Sequence, residues 1–290
     1  MEALLQYLAN GLLVGGVYAL IAMGIVIIYK ASGIFNFAVG QMMMFGAFFC
    51  WTFIEQLGLP PLLSLLLSLI AGAALGLLIE RFTLRKLIGQ PVLSAIMMTL
   101  AVSYFLGGQA LGFFGSYLRP LPRIFSADPI NLGGVVLASD LLWSFITAMV
   151  VFGLLALFYQ RSRMGLAMRA TAESHQIAQA RGINVRSVFS LTWALAGIVA
   201  TIGGILLGYR LGLSNLLASI GLKAFPAVIL GGVESIAGAL IGGLVVGVLE
   251  TLAGGLINPW IMEITPYIII LLVLVFMPEG LFGLKRIERI

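Results

Sequence analysis

Long apolar runs recur along this chain, and they constrain its fold more than any other feature. A helix needs roughly 20 mostly apolar residues to cross a lipid bilayer. The candidate spans in the first two thirds are Leu4–Ile28, Ile34–Ile54, Pro60–Ile79, Val92–Phe114, Asp140–Tyr159 and Val188–Gly208. Because 61% of the 290 residues are hydrophobic and only 9% are charged, a soluble fold could not bury the apolar surface. The strand alternation of a membrane barrel is absent, so the runs predict an all-α, polytopic transmembrane bundle.

Discontinuous helices are expected in the C-terminal part of the chain. At about 1.5 Å per residue, the run Gly221–Val233 is too short to cross a hydrocarbon core of about 30 Å. A longer run, Ala237–Ile257, follows a break at Gly231–Ser235, and a last run covers Ile264–Phe276. A second break is expected at 32–40. Lipid cannot satisfy the backbone groups that a break frees, so both breaks must line a cavity or be buried in protein.

The two breaks begin on opposite sides of the membrane, as in an inverted repeat with halves 1–114 and 140–290. We hypothesise that they flank one central pathway near the bilayer midplane. The candidate pathway residues are Asn36, Gly40, Gln41, Phe225, Gly231, Gly232 and Glu234, with Phe35, Phe37 and Phe225 as apolar gate candidates. A bulky apolar residue at Gly40 or Gly232 is expected to block solute passage with little loss of assembly.

Four polar residues stand in otherwise apolar stretches, namely Asn36, Gln41, Glu234 and Glu250. Polar groups at membrane depth are costly unless they face protein or water, so these four are functional candidates. Each also has a structural alternative. Asn36 and Gln41 could satisfy the backbone of the broken helix. Glu234 could lie in a wet turn near the inner face, and Glu250 could be solvated near the outer surface.

Basic residues cluster in a few loops and predict the orientation. Twelve of the sixteen form four groups: Lys30; Arg81, Arg85 and Lys86; Arg161, Arg163, Arg169, Arg181 and Arg186; and Lys285, Arg286 and Arg289. The positive-inside rule places these groups in the cytoplasm, with the N-terminus outside and the C-terminus inside. The net charge of +5 therefore does not indicate a nucleic-acid partner. The segment Gly115–Ser139 carries proline and glycine turn signals and is expected to be an outer loop without a helix.

A single transmembrane domain, 1–290, is expected, with one long cytoplasmic loop at 160–187. An apolar stripe in this loop indicates a short helix along the inner face, packed on the membrane surface or on a soluble protein. The stripe consists of Met164, Met168, Thr171, Ala172, Ile177 and Ala178. His175 is expected to be solvated, because no second histidine or cysteine is available for a metal site. The N-terminus has no basic region and no cleavage site, so an uncleaved first span starting near Met1 is expected.

Several catalytic and energy-coupling motifs are absent from the sequence. It contains no phosphate-binding loop of the G-x-x-x-x-G-K-[ST] type, no nucleophile elbow, no zinc motif and no nucleotide fingerprint, which argues against an enzyme. The apolar runs also lack the ladder of Asp, Glu and His that a proton-coupled carrier needs. Energy for active transport would therefore come from another protein.

Four segments resemble the permeases of branched-chain amino acid ABC importers, specifically the shorter of the two paired permeases. They are SGIFNFAVGQMMMFGAF, MRATAESHQIAQARGINVRSVFSLTWALAG, GLKAFPAVILGGVESIAGALIGGLVVGVLE and FMPEGLFG, in that order. The sequence departs from the family where a cytoplasmic Glu-Ala-Ala signature reads Gln176-Ile177-Ala178, followed by Gly182. It also has Met277 where a basic residue is common, and Glu279 where glutamine is common.

The resemblance implies a subunit of a complex in a bacterial inner membrane. Its expected partners are a second permease, two ATP-binding subunits and an external solute-binding protein, with ATP bound by the partners and no cofactor on this chain. The segment Met164–Arg186 would be a coupling helix seated in an ATPase groove, and its expected contact residues are Glu173, Ile177, Ala178, Arg181 and Gly182. Related importers carry urea, short amides or other hydrophobic amino acids, so the fold does not fix the solute. A self-sufficient secondary carrier and a channel or scaffold are the remaining alternatives.

Overall fold

The computed structural model describes residues 2–87, 90–122, 128–132 and 135–283. Within them, the helices are α1 (Glu2–Ser32), α2 (Val39–Trp51), α3 (Pro61–Phe82), α4 (Val92–Phe114), α5 (Ser139–Arg161), α6 (Arg163–Glu173), α7 (His175–Ala180), α8 (Val185–Leu211), α9 (Leu216–Leu222), α10 (Ala224–Gly231), α11 (Ile236–Leu256) and α12 (Pro259–Phe276). A π-helical turn, Thr52–Gln56, continues α2, and a 3-10 turn, Leu84–Leu87, follows α3. The basic C-terminal group at 285–289 lies outside the described residues.

Seven helices in the described part of the chain are long and apolar enough to cross a membrane. They are α1, α3 with its 3-10 turn, α4, α5, α8, α11 and α12. The predicted all-α, polytopic fold is therefore confirmed. The second expected span is shorter than predicted, because α2 begins at Val39 and has 13 residues. The last span is longer than predicted, because Asn258 caps α12 by accepting a hydrogen bond from the Trp260 amide.

Both predicted helix breaks are present. The first separates the end of α1 at Ser32 from the start of α2 at Val39, and Gly33 has a φ of 68° there. The second separates α10 from α11, where the Ser235 hydroxyl accepts a hydrogen bond from the Gly238 amide and caps α11. The run Gly221–Val233 differs from the prediction, since it contains the end of α9 and then α10 instead of one short helix.

The segment predicted to be an outer loop is free of helix in its described part before Ser139, as expected, but it contains a hairpin. Strand β1 (Ile130–Leu132) pairs antiparallel with β2 (Val135–Leu137). The side chain of Gln6 in α1 extends this pairing, because its amide nitrogen donates to the Val136 carbonyl at 2.5 Å and its oxygen accepts from the Val136 amide at 2.8 Å. The hairpin is thereby fixed to the start of α1.

The chain divides into two compact units. The first unit contains 1–26, 127–152 and 223–290, and the second contains 27–126 and 153–222. Each unit joins segments from both halves of the sequence and so does not coincide with either half of the expected inverted repeat. That repeat and the single-domain organisation remain predictions.

Glycine allows helix backbones to approach closely within each unit. In the second unit, a Cβ at Gly197 of α8 would overlap the Gly72 carbonyl of α3, and a Cβ at Gly204 would overlap the Met43 carbonyl of α2. In the first unit, a Cβ at Gly15 of α1 would lie 2.8 Å from the Leu244 Cα of α11. Lipid tails give apolar side chains little reason to associate, so van der Waals packing at small residues holds such helices together.

We predict that Gly197→Leu lowers the thermal stability of the purified protein. The new side chain would displace the α3 backbone, and overpacking of this kind costs about 1–3 kcal/mol or more. Gly153→Leu is a matched control, since Gly153 is also interior to a helix but a Cβ there meets nothing within 4 Å. Melting curves in detergent measure the difference. Equal melting temperatures for the two variants would contradict the packing role of Gly197.

Candidate functional site

A cavity of about 470 Å³ lies in the second unit beside the first helix break. Three elements form its wall: the start of α2 with the preceding turn, the middle of α4, and α9 with the residue before it. The lining residues are Phe37, Gly40, Gln41, Leu100, Ser103, Tyr104, Gly107, Gly108, Leu111, Asn215, Ala218, Ser219 and Leu222. Each of them is apolar or neutral. The cavity therefore suits a ligand that is recognised by dipoles and apolar contact.

Small residues set the shape of this cavity. A Cβ at Gly40 would overlap the Ala218 carbonyl, and a Cβ at Gly221 would lie 2.7 Å from the Gly40 Cα, so α9 rests directly on the start of α2. On α4, a Cβ at Gly107 would lie 3.3 Å from the amide nitrogen of Gln41. The missing side chain at Gly107 thus leaves room for the Gln41 amide.

Two amide oxygens at the cavity have no hydrogen-bond donor among the described residues. They are Oε1 of Gln41 and Oδ1 of Asn215, and both atoms are buried. The Asn215 nitrogen donates to the Gly115 carbonyl at 3.4 Å, which fixes the orientation of that amide. An unpaired buried acceptor costs about 1–3 kcal/mol. These two oxygens can therefore accept hydrogen bonds from a ligand in the cavity.

Asn36 and Gln41 make different contacts, although Asn36 lies on the first break and Gln41 in the first turn of the helix that follows it. Asn36 is fully buried, and its side-chain oxygen accepts from the Ala38 amide at 3.0 Å. Its nitrogen lies 3.3 Å from the Met42 sulfur. Asn36 thus satisfies the broken backbone, as the structural alternative held, and does not line the cavity.

The second break, in the first unit, is closely packed. A Cβ at Gly231 would overlap the Gly238 carbonyl, and Gly232 has a φ of 98°. The segment 277–283 folds back onto the end of α10, where the Leu281 amide donates to the Leu230 carbonyl at 2.8 Å. Of the other pathway candidates in this unit, Phe225 is buried and Glu234 is exposed.

This packing corrects the expectation that a bulky residue at Gly40 or Gly232 would block solute passage with little loss of assembly. A bulky residue at Gly232 would meet the Gly283 nitrogen at 2.6 Å, in a backbone conformation that side chains rarely adopt. At Gly40 it would push α9 away. Substitutions at both sites are therefore expected to disturb the fold itself, and they cannot separate a blocked pathway from a packing defect.

A family model described as "branched-chain amino acid transport system / permease component" matches residues 7–276. The chain belongs to this family. It is 35% identical to the high-affinity branched-chain amino acid transport system permease protein BraD of Pseudomonas aeruginosa, across 99% of this chain and 98% of that protein. It is 32% identical to LivH of Salmonella typhimurium, across 99% and 97%. The solved structure of PsaBC from Streptococcus pneumoniae in complex with Fab has 16% identity, a TM-score of 0.49 and coverage of 95% and 94%.

The segment 160–187, predicted to be a cytoplasmic loop, contains two helices, α6 and α7, where one was expected. The Ser174 hydroxyl accepts from the Ile177 amide and starts α7, so the chain turns between the two helices. The expected apolar stripe is thereby divided. Met168, Thr171 and Ala178 are buried, whereas Met164 is 38% and Ile177 66% exposed.

The expected coupling residues lie in or beside α7, apart from Glu173 at the end of α6. Glu173, Ile177 and Arg181 are exposed, whereas Ala178 packs with Ala31 in a small apolar cluster. Gly182 follows the helix with a φ of 82°, in the left-handed region that glycine favours at the ends of helices. The coupling role of these residues remains a prediction.

His175 is partly buried, which corrects the expectation that it is solvated. Its Nε2 lies 3.2 Å from the Ala31 carbonyl oxygen, and its ring packs edge-on against Phe189 with centroids 5.4 Å apart. Ala31 is in the last turn of α1, directly before the first break. Helix α7 therefore contacts the end of α1 through His175 and Ala178.

Sequence reasoning missed a buried ion-pair cluster in the first unit. The Lys223 ammonium lies 2.8 Å from the Glu250 carboxylate and 3.0 Å from the Glu263 carboxylate. Glu250 is fully buried, which excludes the alternative that it is solvated near the outer surface. A lysine inside the apolar run GLKAFPAVIL was the available signal, since a charge at membrane depth needs a partner. Lys223 directly precedes α10, so the cluster fixes the start of that helix to α11 and α12.

We predict that Lys223→Met destabilises the permease by about 3–5 kcal/mol, because Glu250 would remain buried without its partner. The double variant Lys223→Met/Glu250→Gln should recover most of this loss. Glu263→Gln should have little effect, since the Glu263 side chain is 67% exposed. Thermal unfolding in detergent measures all three variants. A double variant as unstable as Lys223→Met alone would refute the pairing as the source of stability.

Proposed function

We propose that this chain is the membrane-spanning permease subunit of an ABC importer for branched-chain amino acids. The observation that carries the proposal is the family match over 7–276, together with relatives named as branched-chain amino acid permeases that align along nearly the whole chain. The seven apolar helices supply the membrane-spanning part that such a subunit needs.

The partners are those that the resemblance to branched-chain amino acid importers implies. ATP would be bound and hydrolysed by two separate subunits, with no cofactor on the permease itself, and the lack of a phosphate-binding loop in this sequence agrees with that. A second permease would complete the membrane part, and an external solute-binding protein would deliver the amino acid. Exposed residues of α7, Ile177 among them, would contact an ATP-binding subunit.

The proposed location is a bacterial inner membrane, with the N-terminus outside and the C-terminus in the cytoplasm. The positive-inside rule supports this orientation. The 160–187 loop carries Arg161, Arg163, Arg169, Arg181 and Arg186 and would face the ATP-binding subunits. The β1–β2 hairpin would then face the solute-binding protein.

The proposal predicts leucine uptake into proteoliposomes only when the permease pair, both ATP-binding subunits, the solute-binding protein and ATP are present. Leucine, urea and short amides would be supplied as separate radiolabelled solutes. Uptake of urea or amides without leucine would assign the chain to another solute of the same architecture. Uptake by the permease alone, driven by an ion gradient, would show a self-sufficient carrier and refute the proposal.

We predict that Gly182→Val reduces co-purification of the ATP-binding subunit while the permease still reaches the membrane. Valine resists the left-handed backbone at this position, with a strain of about 1–3 kcal/mol, and would displace the end of α7. A Cβ there meets nothing within 4 Å, so crowding is not the cause. Gly182→Asn is the matched control, because asparagine tolerates this conformation better. Equal recovery of the complex with both variants would exclude a role for the helix end.

A further inference from the structure

The cavity of the second unit combines two features that a simple packing gap would lack. Its wall is neutral throughout, yet the buried oxygens Oε1 of Gln41 and Oδ1 of Asn215 have no donor among the described residues. The rest of the wall supplies apolar surface from Phe37 on the break and from leucines of α4 and α9. A volume of about 470 Å³ falls within the usual range for small-molecule sites.

We propose that this cavity is a transit site for an aliphatic amino acid, with the substrate α-ammonium group at the amide oxygens of Gln41 and Asn215. The aliphatic side chain would lie along the leucine and phenylalanine wall. The inference rests on the proposed function and adds the chemistry by which this chain holds its solute.

Neutral acceptors fit the requirements of a transported zwitterion. An ammonium group has N–H donors and no acceptor, so it satisfies both amide oxygens without an opposing charge. A carboxylate in their place would bind the ammonium more tightly, and a site on a pathway must also release its solute. The hydroxyls of Ser103 and Tyr104 line the same cavity and can donate hydrogen bonds to the substrate carboxylate.

The geometry also identifies variants that separate the site from the fold. Gly107→Leu fills the cavity, and the nearest neighbour of a new Cβ is the Gln41 side chain at 3.3 Å, which can move. Gly112→Leu is the matched control, because Gly112 is also in α4, meets nothing within 4 Å and does not line the cavity. Gln41→Met keeps the length of the side chain and removes the amide.

The first measurement is leucine transported per ATP hydrolysed by the complete complex in proteoliposomes. Loss of one charge-assisted hydrogen bond should lower this ratio about tenfold in Gln41→Met. Gly107→Leu should lower it at least as much, whereas Gly112→Leu should match the wild type. The yield of the complex and its rate of ATP hydrolysis should stay near wild-type values. If these residues had only a structural role, both quantities would fall.

The second measurement is protection of a cysteine from a maleimide reagent. In a Cys50→Ser background, Ser103→Cys should react more slowly when leucine is present, and Gly112→Cys should be unaffected. Two results together would overturn this inference but leave the proposed function intact. They are wild-type transport ratios in both Gln41→Met and Gly107→Leu, and no protection of Ser103→Cys by leucine. The cavity would then be a hydrated gap. A wild-type complex that carries no leucine would overturn the proposed function and this inference with it.

Discussion

Close approach of helix backbones at glycine is the interaction on which the rest of this structure depends. Apolar side chains gain little by leaving lipid for each other, so the helices need contacts that lipid cannot replace. Gly72 and Gly197 bring α3 against α8, and Gly40 lets α9 rest on the start of α2. The cavity results from the contact at Gly40, because α9 and the start of α2 form two sides of its wall.

The helical fold and both breaks could be predicted from the sequence, because run length and glycine content are local signals. The ion pair between Lys223 and Glu250 could not be predicted, since the two residues are 27 positions apart in the chain. The burial of His175 was not predicted for the same reason, because its partner, the Ala31 carbonyl, is 144 residues away in the chain. The hairpin after α4 was missed because each strand has only three residues, too few for a clear alternation.

The candidate site was only partly predictable, and Asn36 and Gln41 show why. Both are amides at or next to one break, and polarity alone made them equal candidates. The turn before α2 directs Asn36 to the Ala38 amide, whereas Gln41, the third residue of α2, reaches the cavity. Asn215 was missed because it precedes the short helix α9, which the sequence did not separate from its neighbours. The direction of the side chain therefore distinguishes these two residues, whereas their residue type does not.

The second unit contains the expected coupling segment and the cavity, and one stretch of chain connects them. Helix α7 contacts Ala31 through His175 and Ala178, and the first break begins two residues after Ala31. The chain then passes Asn36, whose hydrogen bond to Ala38 holds the turn, and reaches Gly40 and the cavity wall. A displacement of α7 would act on the last turn of α1. The Gly33 amide still donates to the Tyr29 carbonyl, and Asn36 holds the turn that follows, so we expect that displacement to reach the start of α2 through this turn.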